Sequence, residues 1–237
     1  MPYVPSRLRV NFFCFRLARH GPFKMSGQVW IFDLDNTLHD ATPHIFPHIN
    51  RSMTAYLQRH LQLDEVAAND LRMHYWQRYG ATLSGLMRHH GTDPDHFLWH
   101  THQFPALDRM VLREARLRHV LKRLPGHKVV FSNAPQHYAH EVLRLLRVEN
   151  LFGDVMAVEH TRYRPKPDSF GFLRLMRKHG VRAAQCVMVE DSLENLLAAK
   201  KLGMRTVWVN RGLRNSPCVD VKIRDVMELP NIFGCIG

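Results

Sequence analysis

The chain has 237 residues, of which 45% are hydrophobic and 23% are charged, a composition typical of a globular protein rather than a disordered or fibrous one. No apolar run approaches the roughly 20 residues that a membrane-spanning helix needs, so we expect no membrane association. The four cysteines are far apart and form no CxxC pair, which argues against a zinc site or a disulfide framework and favours a reducing, cytoplasmic environment.

The formal net charge of +12 favours anionic ligands, which include both nucleic acids and small phosphates. Outside residues 1–24 the sequence has no RNA-binding motif and no helix-turn-helix pattern, so we expect no nucleic-acid partner. Residues 1–24 contain four arginines and one lysine but no acid. We expect this basic extension to be disordered or to precede the true start at Met25, with an Arg-rich transit peptide as the alternative.

From residue 28 onward, short apolar segments alternate with amphipathic ones. Apolar runs rich in β-branched residues predict buried strands at residues 28–32, 127–133, 154–160, 185–191 and 205–210, with a weaker edge strand near residues 218–223. Amphipathic segments predict helices at residues 136–148, 167–180 and 192–203, the last two ending at glycines. Strands that alternate with helices in this way predict right-handed βαβ units and a doubly wound parallel sheet of the α/β class.

Residues 43–122 are helical in composition and contain no convincing strand. This stretch is too long to be a simple crossover between two strands. We therefore predict an inserted helical cap over residues 41–115, with residues 25–40 and 116–237 forming the Rossmann-like α/β core.

Polar residues end or directly follow the predicted strands at the edge where such a sheet binds its ligands, the carboxyl ends of its strands, and a lysine lies in a loop just before a predicted helix. These residues come from four separate segments: Asp33 and Asp35; Ser132 and Asn133; Lys166; Glu190 and Asp191. Carboxylates crowded on one rim repel each other. A hard divalent cation relieves this repulsion, and Mg²⁺ prefers carboxylate and water oxygens.

The segments "DLDNT", "FSNA", "KPD" and "VEDS" occur in this order and spacing, and together they resemble the four motifs of the haloacid dehalogenase superfamily of phosphotransferases. The resemblance spans residues 28–210, and the helical insert resembles the cap that this superfamily carries after its first strand. More narrowly, "IFDLDNTLHDATPHIFPHINRSM", "YGATLSGL" and "SNAPQHYAHEVL" are similar to the pyrimidine 5′-nucleotidase branch.

The resemblance implies a role for each residue at the strand ends. Asp33 would be the nucleophile that forms an aspartyl-phosphate, and Asp35 would be the general acid/base. Lys166 would mask the charge of the phosphate, although Arg162 or Arg164 could share that task. The acid at Asp35 also favours phosphate chemistry, because the dehalogenases of the superfamily lack an acid at that position.

The remaining implied roles concern the phosphate, the metal and the cap. Phosphate oxygens would be bound by Thr37, Ser132 and the backbone near Asn133. The Mg²⁺ ligands would be Asp33, the backbone carbonyl of Asp35, Asp191 and, directly or through water, Glu190, with Asn195 behind them. Tyr79 and Thr82 are the candidates for facing the substrate from the cap.

These features favour a Mg²⁺-dependent phosphatase for pyrimidine nucleoside 5′-monophosphates such as UMP or CMP. Another small phosphate, such as a sugar phosphate or phosphoglycolate, is the alternative within the enzyme class, because the leaving group would meet the cap rather than the core. A non-catalytic phosphate-binding scaffold is the alternative outside that class, although it would be expected to have lost one of the two aspartates. The sequence does not indicate an oligomeric state.

Overall fold

The computed structural model describes residues 27–232, so the expectation for residues 1–24 lies outside the described residues. A six-stranded parallel sheet with the order β3-β2-β1-β4-β5-β6 forms the centre of the molecule. Its strands are β1 (Val29–Phe32), β2 (His127–Phe131), β3 (Asp154–Met156), β4 (Cys186–Glu190), β5 (Arg205–Val209) and β6 (Val221–Ile223). The predicted α/β class, the parallel sheet and the weak edge strand are confirmed.

Helices cover the sheet and form most of the segment between β1 and β2. Within the described residues they are α1 (Ile45–Leu61), α2 (Glu65–Tyr79), α3 (Thr82–His90), α4 (Pro94–Thr101), α5 (Leu107–Met110), α6 (Leu117–Arg123), α7 (Gln136–Leu145), α8 (Ser169–His179) and α9 (Leu193–Lys201). The predicted end of α8 is confirmed, because Gly180 caps it with a left-handed backbone. No helix between residues 27 and 232 is both long and apolar enough to cross a membrane.

The third strand is shorter than predicted. Residues 154–160 were expected to be one strand, but β3 ends at Met156 and the chain continues as a 3₁₀ turn, Val158–Thr161. Side chains stabilise this turn locally, since the Thr161 hydroxyl donates to the Val158 carbonyl at 2.7 Å. The backbone N–H of Ala157 donates to His160 Nδ1 at 3.1 Å. Such local side-chain bonds compete with the strand ladder.

Strand β1 is buried on both faces, which explains its continuous apolar sequence. Trp30 and Phe32 lie in a core cluster with residues of α6 and α7. Val29 and Ile31 point to the opposite face and pack with residues of α8 and α9. Successive side chains of a strand alternate between faces, so these four residues anchor the sheet to both helical layers.

Helices α1 to α4 have an apolar cluster of their own, which includes Tyr56, Leu57 and Tyr75 as well as Val158 from the core. The start of α1 does not belong to it, because Ile45 and Ile49 pack in the core cluster of α6 and α7. The exact boundaries of the predicted cap therefore stay a prediction.

The position of β1 determines where the functional side chains meet. It lies between β2 and β4, and Phe32 is in register with Val130 and Val189. After β1 the chain first adds β2 and β3 on one side and then returns to add β4, β5 and β6 on the other side. This reversal of strand order creates a crevice at the carboxyl ends of the strands. Asp33, the residue after β1, continues the pairing of β1 with β4, because its backbone N–H donates to Val189 O at 3.0 Å.

Candidate active site

A buried ammonium group connects three of the segments that converge at the strand ends. Lys166 Nζ donates to Asp33 Oδ1 at 2.7 Å, to Glu190 Oε2 at 2.8 Å and to the carbonyl of Phe131 at 2.7 Å. The lysine is only 3% exposed. Burial opposes its charge, but the two carboxylates outweigh burial and hold the pKa of Lys166 above its usual value. Lys166 is therefore a fixed positive charge beside Asp33.

Two arginines near Lys166 do not share its position. Arg164 donates from Nε and Nη2 to Asp168 Oδ2 at 2.9 and 2.8 Å, at the surface. The guanidinium of Arg162 lies over the ring of Phe170. Of the basic residues in this loop, Lys166 alone contacts Asp33.

The environment of Asp33 disfavours its ionised form. Burial and the nearby Glu190 carboxylate raise the pKa of Asp33 from 3.8 to about 7, and Lys166 offsets only part of this increase. Lys166 occupies Oδ1, whereas Oδ2 has no hydrogen-bond partner among residues 27–232. Asp33 Oδ1 is thus held in place by Lys166, and Asp33 Oδ2 is available to contact a ligand.

Three carboxylates form a group that could hold a metal ion. Asp33, Glu190 and Asp191 each offer one oxygen, and these oxygens all lie within 4.8 Å of one another. Burial raises the pKa of both Glu190 and Asp191. When all three are ionised, their charge exceeds that of Lys166 by two, which fits a divalent cation with oxygen ligands.

Glu190 is the most constrained member of this group. Its Oε2 accepts from Lys166 and, at 3.1 Å, from the Asn195 amide. Its Oε1 accepts from the backbone N–H groups of Asp191 and Ser192, both at 3.2 Å. The predicted place of Asn195 behind the acidic group agrees with this contact. The metal roles of all these residues, and of the Asp35 carbonyl, stay predictions.

Asp35 is held by two residues that the sequence analysis did not identify. The Tyr138 hydroxyl donates to Asp35 Oδ1 at 2.6 Å, and His39 Nε2 lies 3.0 Å from the same oxygen. Burial and Asp35 raise the pKa of Tyr138, so its hydroxyl remains a donor. A buried tyrosine on the apolar face of α7 needs a partner for its hydroxyl. The sequence could have indicated that Tyr138 has a polar partner, but not that this partner is Asp35.

The predicted phosphate-binding residues lie at the same strand ends. Thr37 Oγ1 is buried and has no hydrogen-bond partner among the described residues, so its hydroxyl is available to a ligand. Ser132 Oγ accepts from the N–H of Ala134 at 3.0 Å, which leaves its proton free to donate. Both positions agree with phosphate binding, which stays a prediction.

The side chain of Asn133 makes contacts that the sequence did not predict. Its Oδ1 accepts from the Lys166 N–H at 2.7 Å, and its Nδ2 donates to the Lys166 carbonyl at 3.1 Å. This pair of bonds fixes the backbone of the loop that carries the lysine. Asn133 therefore positions Lys166 through its side chain, and only its backbone remains for the predicted phosphate contact.

A cleft of about 470 Å³ separates the helical insert from the Lys166 loop. Its lining includes Gln77, Tyr79, Ser84, Tyr163, Lys166 and Glu194. Tyr79 therefore reaches the cleft, and its hydroxyl lies 2.6 Å from His89 Nε2. Thr82 is buried, and its hydroxyl donates to the Arg72 carbonyl at 3.0 Å. That contact uses the Thr82 hydroxyl inside the helical insert rather than toward a substrate.

Several curated proteins are similar to this chain over most of its length. Phosphate metabolism protein 8 of Saccharomyces cerevisiae is 24% identical over 235 residues, which cover 87% of this chain and 72% of that protein. A phosphoglycolate phosphatase of Colwellia psychrerythraea is 26% identical over 208 residues, 78% of this chain and 85% of that protein. The N-acylneuraminate-9-phosphatase of Homo sapiens is 26% identical over 177 residues, with 70% and 69% covered.

Solved structures share the fold. A HAD phosphatase from Thermococcus onnurineus superposes with a TM-score of 0.60 at 23% identity, covering 87% of this chain and 98% of that one. The L-2-haloacid dehalogenase from Xanthobacter autotrophicus, with chloropropionic acid covalently bound, gives a TM-score of 0.56 at 14% identity, covering 86% and 97%. At these identities the likeness concerns the fold alone.

The family comparison covers the part of the chain that contains every strand-end residue described above. The family model of the haloacid dehalogenase-like hydrolases matches residues 30–209, well over half of the sequence. The chain belongs to the haloacid dehalogenase-like hydrolase family.

Proposed function

We propose that this protein is a Mg²⁺-dependent phosphatase that hydrolyses small phosphomonoesters through an aspartyl-phosphate on Asp33. One observation carries the proposal. A carboxylate with one free oxygen lies against a buried ammonium and two further acids, and a second carboxylate, Asp35, follows two residues later. Phosphoryl transfer depends mainly on positioning and on neutralising charge, and this arrangement supplies both.

The reaction assigns one task to each side chain. Asp33 Oδ2 attacks phosphorus while the bond between phosphorus and the leaving oxygen breaks, and Asp35 gives that oxygen a proton. Asp35 then takes a proton from the water that hydrolyses the aspartyl-phosphate. Lys166 compensates negative charge throughout. A Mg²⁺ ion held by Asp33, Glu190 and Asp191 would add Lewis-acid stabilisation of the phosphate oxygens.

We infer that the substrates are pyrimidine nucleoside 5′-monophosphates such as UMP and CMP. The sequence resemblance to the pyrimidine 5′-nucleotidase branch supports this choice, and so does a cleft lined by the tyrosines Tyr79 and Tyr163. A phosphoglycolate or sugar phosphatase is the second candidate, because five of the similar proteins are named phosphoglycolate phosphatase and one is named N-acylneuraminate-9-phosphatase. The proposal includes a cytoplasmic location and no nucleic-acid partner. Both aspartates are present, which disfavours a non-catalytic scaffold.

Removal of the nucleophile tests the mechanism. We expect Asp33→Asn to lower phosphate release from every substrate by about a thousandfold or more, because an amide cannot form the acyl-phosphate. Asp40→Asn, which neutralises an exposed aspartate of the same loop, is the matched control and should keep full turnover. Retained activity in Asp33→Asn would remove the nucleophile assignment.

The choice of substrate is tested by measuring kcat/KM for phosphate release from nucleotides, sugar phosphates and phosphoglycolate. We expect UMP and CMP to exceed AMP, GMP and the non-nucleotide esters by tenfold or more, about 1.4 kcal/mol of discrimination. A preference for phosphoglycolate or a sugar phosphate would replace the nucleotidase proposal while leaving the phosphatase proposal intact.

Metal binding is tested by thermal unfolding, without reference to activity. A ligand at 100 times its Kd stabilises the folded state by about 2.7 kcal/mol, so saturating Mg²⁺ should raise the Tm of the EDTA-treated protein. Asp191→Asn should lose this increase. Glu194→Gln, which changes an exposed acid three residues after Asp191 and outside the carboxylate group, should keep it. Equal Mg²⁺ responses in the two variants would contradict the assigned ligands.

The raised pKa of Asp33 predicts a pH dependence of stability in the absence of metal. The folded state holds this proton up to about pH 7, whereas an ordinary aspartate releases it near 3.8. The wild type therefore loses stability as the pH rises from about 4 to about 7, and Asp33→Asn avoids this loss. The Tm of Asp33→Asn relative to wild type should increase from pH 5 to pH 8 in EDTA. A difference in Tm that stays constant from pH 5 to pH 8 would contradict the charge crowding.

A further inference from the structure

The carboxylate of Asp35 is held on one side only. Oδ1 accepts from the Tyr138 hydroxyl at 2.6 Å and contacts His39 Nε2 at 3.0 Å, whereas Oδ2 has no partner among residues 27–232. Tyr138 is 1% exposed and His39 is 6% exposed. Two donors on one oxygen fix the rotation of the carboxylate plane.

From this geometry we propose that Tyr138 and His39 are positioning residues for proton transfer by Asp35. They bind Oδ1 and thereby turn Oδ2 toward the leaving oxygen of the substrate. The inference rests on the proposed phosphatase function. The proton moves from Asp35 Oδ2 to the leaving oxygen as the phosphorus–oxygen bond breaks, and neither Tyr138 nor His39 gives up a proton.

Packing determines the direction of the Tyr138 hydroxyl. The tyrosine lies in the first turns of α7, and its ring contacts His102 and Phe104, with ring centroids 5.8 and 5.3 Å apart. Both contacts come from the chain segment that leads from α4 back to the core. A ring held on these sides has little freedom to move its hydroxyl away from Asp35.

The imidazole of His39 contacts Asp35 through one ring nitrogen only, and its other ring nitrogen has no hydrogen-bond partner among the described residues. His39 Nε2 faces the carboxylate, while Nδ1 is buried without a hydrogen-bond partner within the described part of the chain. A buried polar atom without a partner costs free energy. Residues chosen for stability alone rarely leave such an atom, so this cost points to a role for the ring at Asp35.

The loop between Asp35 and His39 is shaped to make this contact. Asn36 has a left-handed backbone, with φ of 62°, which non-glycine residues seldom adopt. Its Oδ1 accepts from the Ala41 N–H at 2.9 Å and from the Thr42 hydroxyl at 3.1 Å. These bonds close the loop and bring His39 back beside Asp35. Two independent elements, this loop and α7, therefore converge on one carboxylate oxygen.

A comparison of substrates with different leaving groups distinguishes a positioning role of Tyr138 and His39 from a merely structural one. An alkoxide leaves only with a proton, whereas 4-nitrophenolate leaves without one, so positioning of the acid matters only for alkyl esters. We expect Tyr138→Phe to lower kcat/KM for an alkyl phosphomonoester on the order of tenfold or more. The value for 4-nitrophenyl phosphate should change far less. His39→Ala should likewise lower kcat/KM for the alkyl ester more than for 4-nitrophenyl phosphate. His39→Gln, whose amide can still donate a hydrogen bond to Asp35, should have a smaller loss than His39→Ala.

Two control variants test whether the effect is specific to the contacts of Asp35. Tyr56→Phe removes another buried hydroxyl, one bonded at 2.8 Å to His96 in the helical insert, and it should leave both values unchanged. Asp35→Asn should reproduce the selectivity of Tyr138→Phe with a larger loss.

Each outcome separates the two proposals. Equal losses on the two esters, or no loss on either, in both Tyr138→Phe and His39→Ala would overturn the inference while the phosphatase proposal stands. A wild type that hydrolyses neither ester would overturn the phosphatase proposal itself. Selective loss in either variant, with wild-type turnover and an inactive Asp33→Asn, supports the inference.

Discussion

The ammonium group of Lys166, buried between Asp33 and Glu190, is the interaction on which the rest of the site depends. Without it, Asp33 and Glu190 would be crowded, buried and uncompensated at the ends of two adjacent strands. Removing one partner of such a buried ion pair is strongly destabilising, because it leaves an unpaired charge behind. The network is therefore stable only as a complete set, and Asn133 completes it by binding the backbone on both sides of the lysine.

The sheet topology makes this network possible. Strand β1 lies between β2 and β4, so residues more than 150 positions apart, Asp33 and Glu190, end neighbouring strands. Asp33 directly follows β1, Glu190 is the last residue of β4, and α9, whose first turn bears Asn195, begins three residues later at Leu193. The two strands that end at this site, β1 and β4, are buried along their whole length, which supplies both the rigidity and the low dielectric that strengthen these contacts.

The sequence predicted the features that depend on local pattern. Apolar runs with acids at their ends placed Asp33 and Glu190 at strand ends, and in the structure Asp33 directly follows the buried strand β1 and Glu190 is the last residue of the buried strand β4. It could not predict the contact between Tyr138 and Asp35, because the two residues are 103 positions apart in the chain. The sequence also could not predict the contact of the Thr82 hydroxyl. This hydroxyl is used by a carbonyl of the preceding helix, and no sequence pattern distinguishes that arrangement from one that faces a cleft.

The core and the helical insert are joined at the loop that carries the lysine. The hydroxyl of Tyr163, three residues before Lys166, donates to Asp95 at the start of α4 at 2.6 Å. The same loop lines the cleft opposite Tyr79. A displacement of the insert that moves Asp95 away from Tyr163 would break this bond to the loop that carries Lys166. One short loop therefore both lines the cleft and places the ammonium of Lys166 beside Asp33, so under the proposed function this loop would connect the bound substrate with that charge.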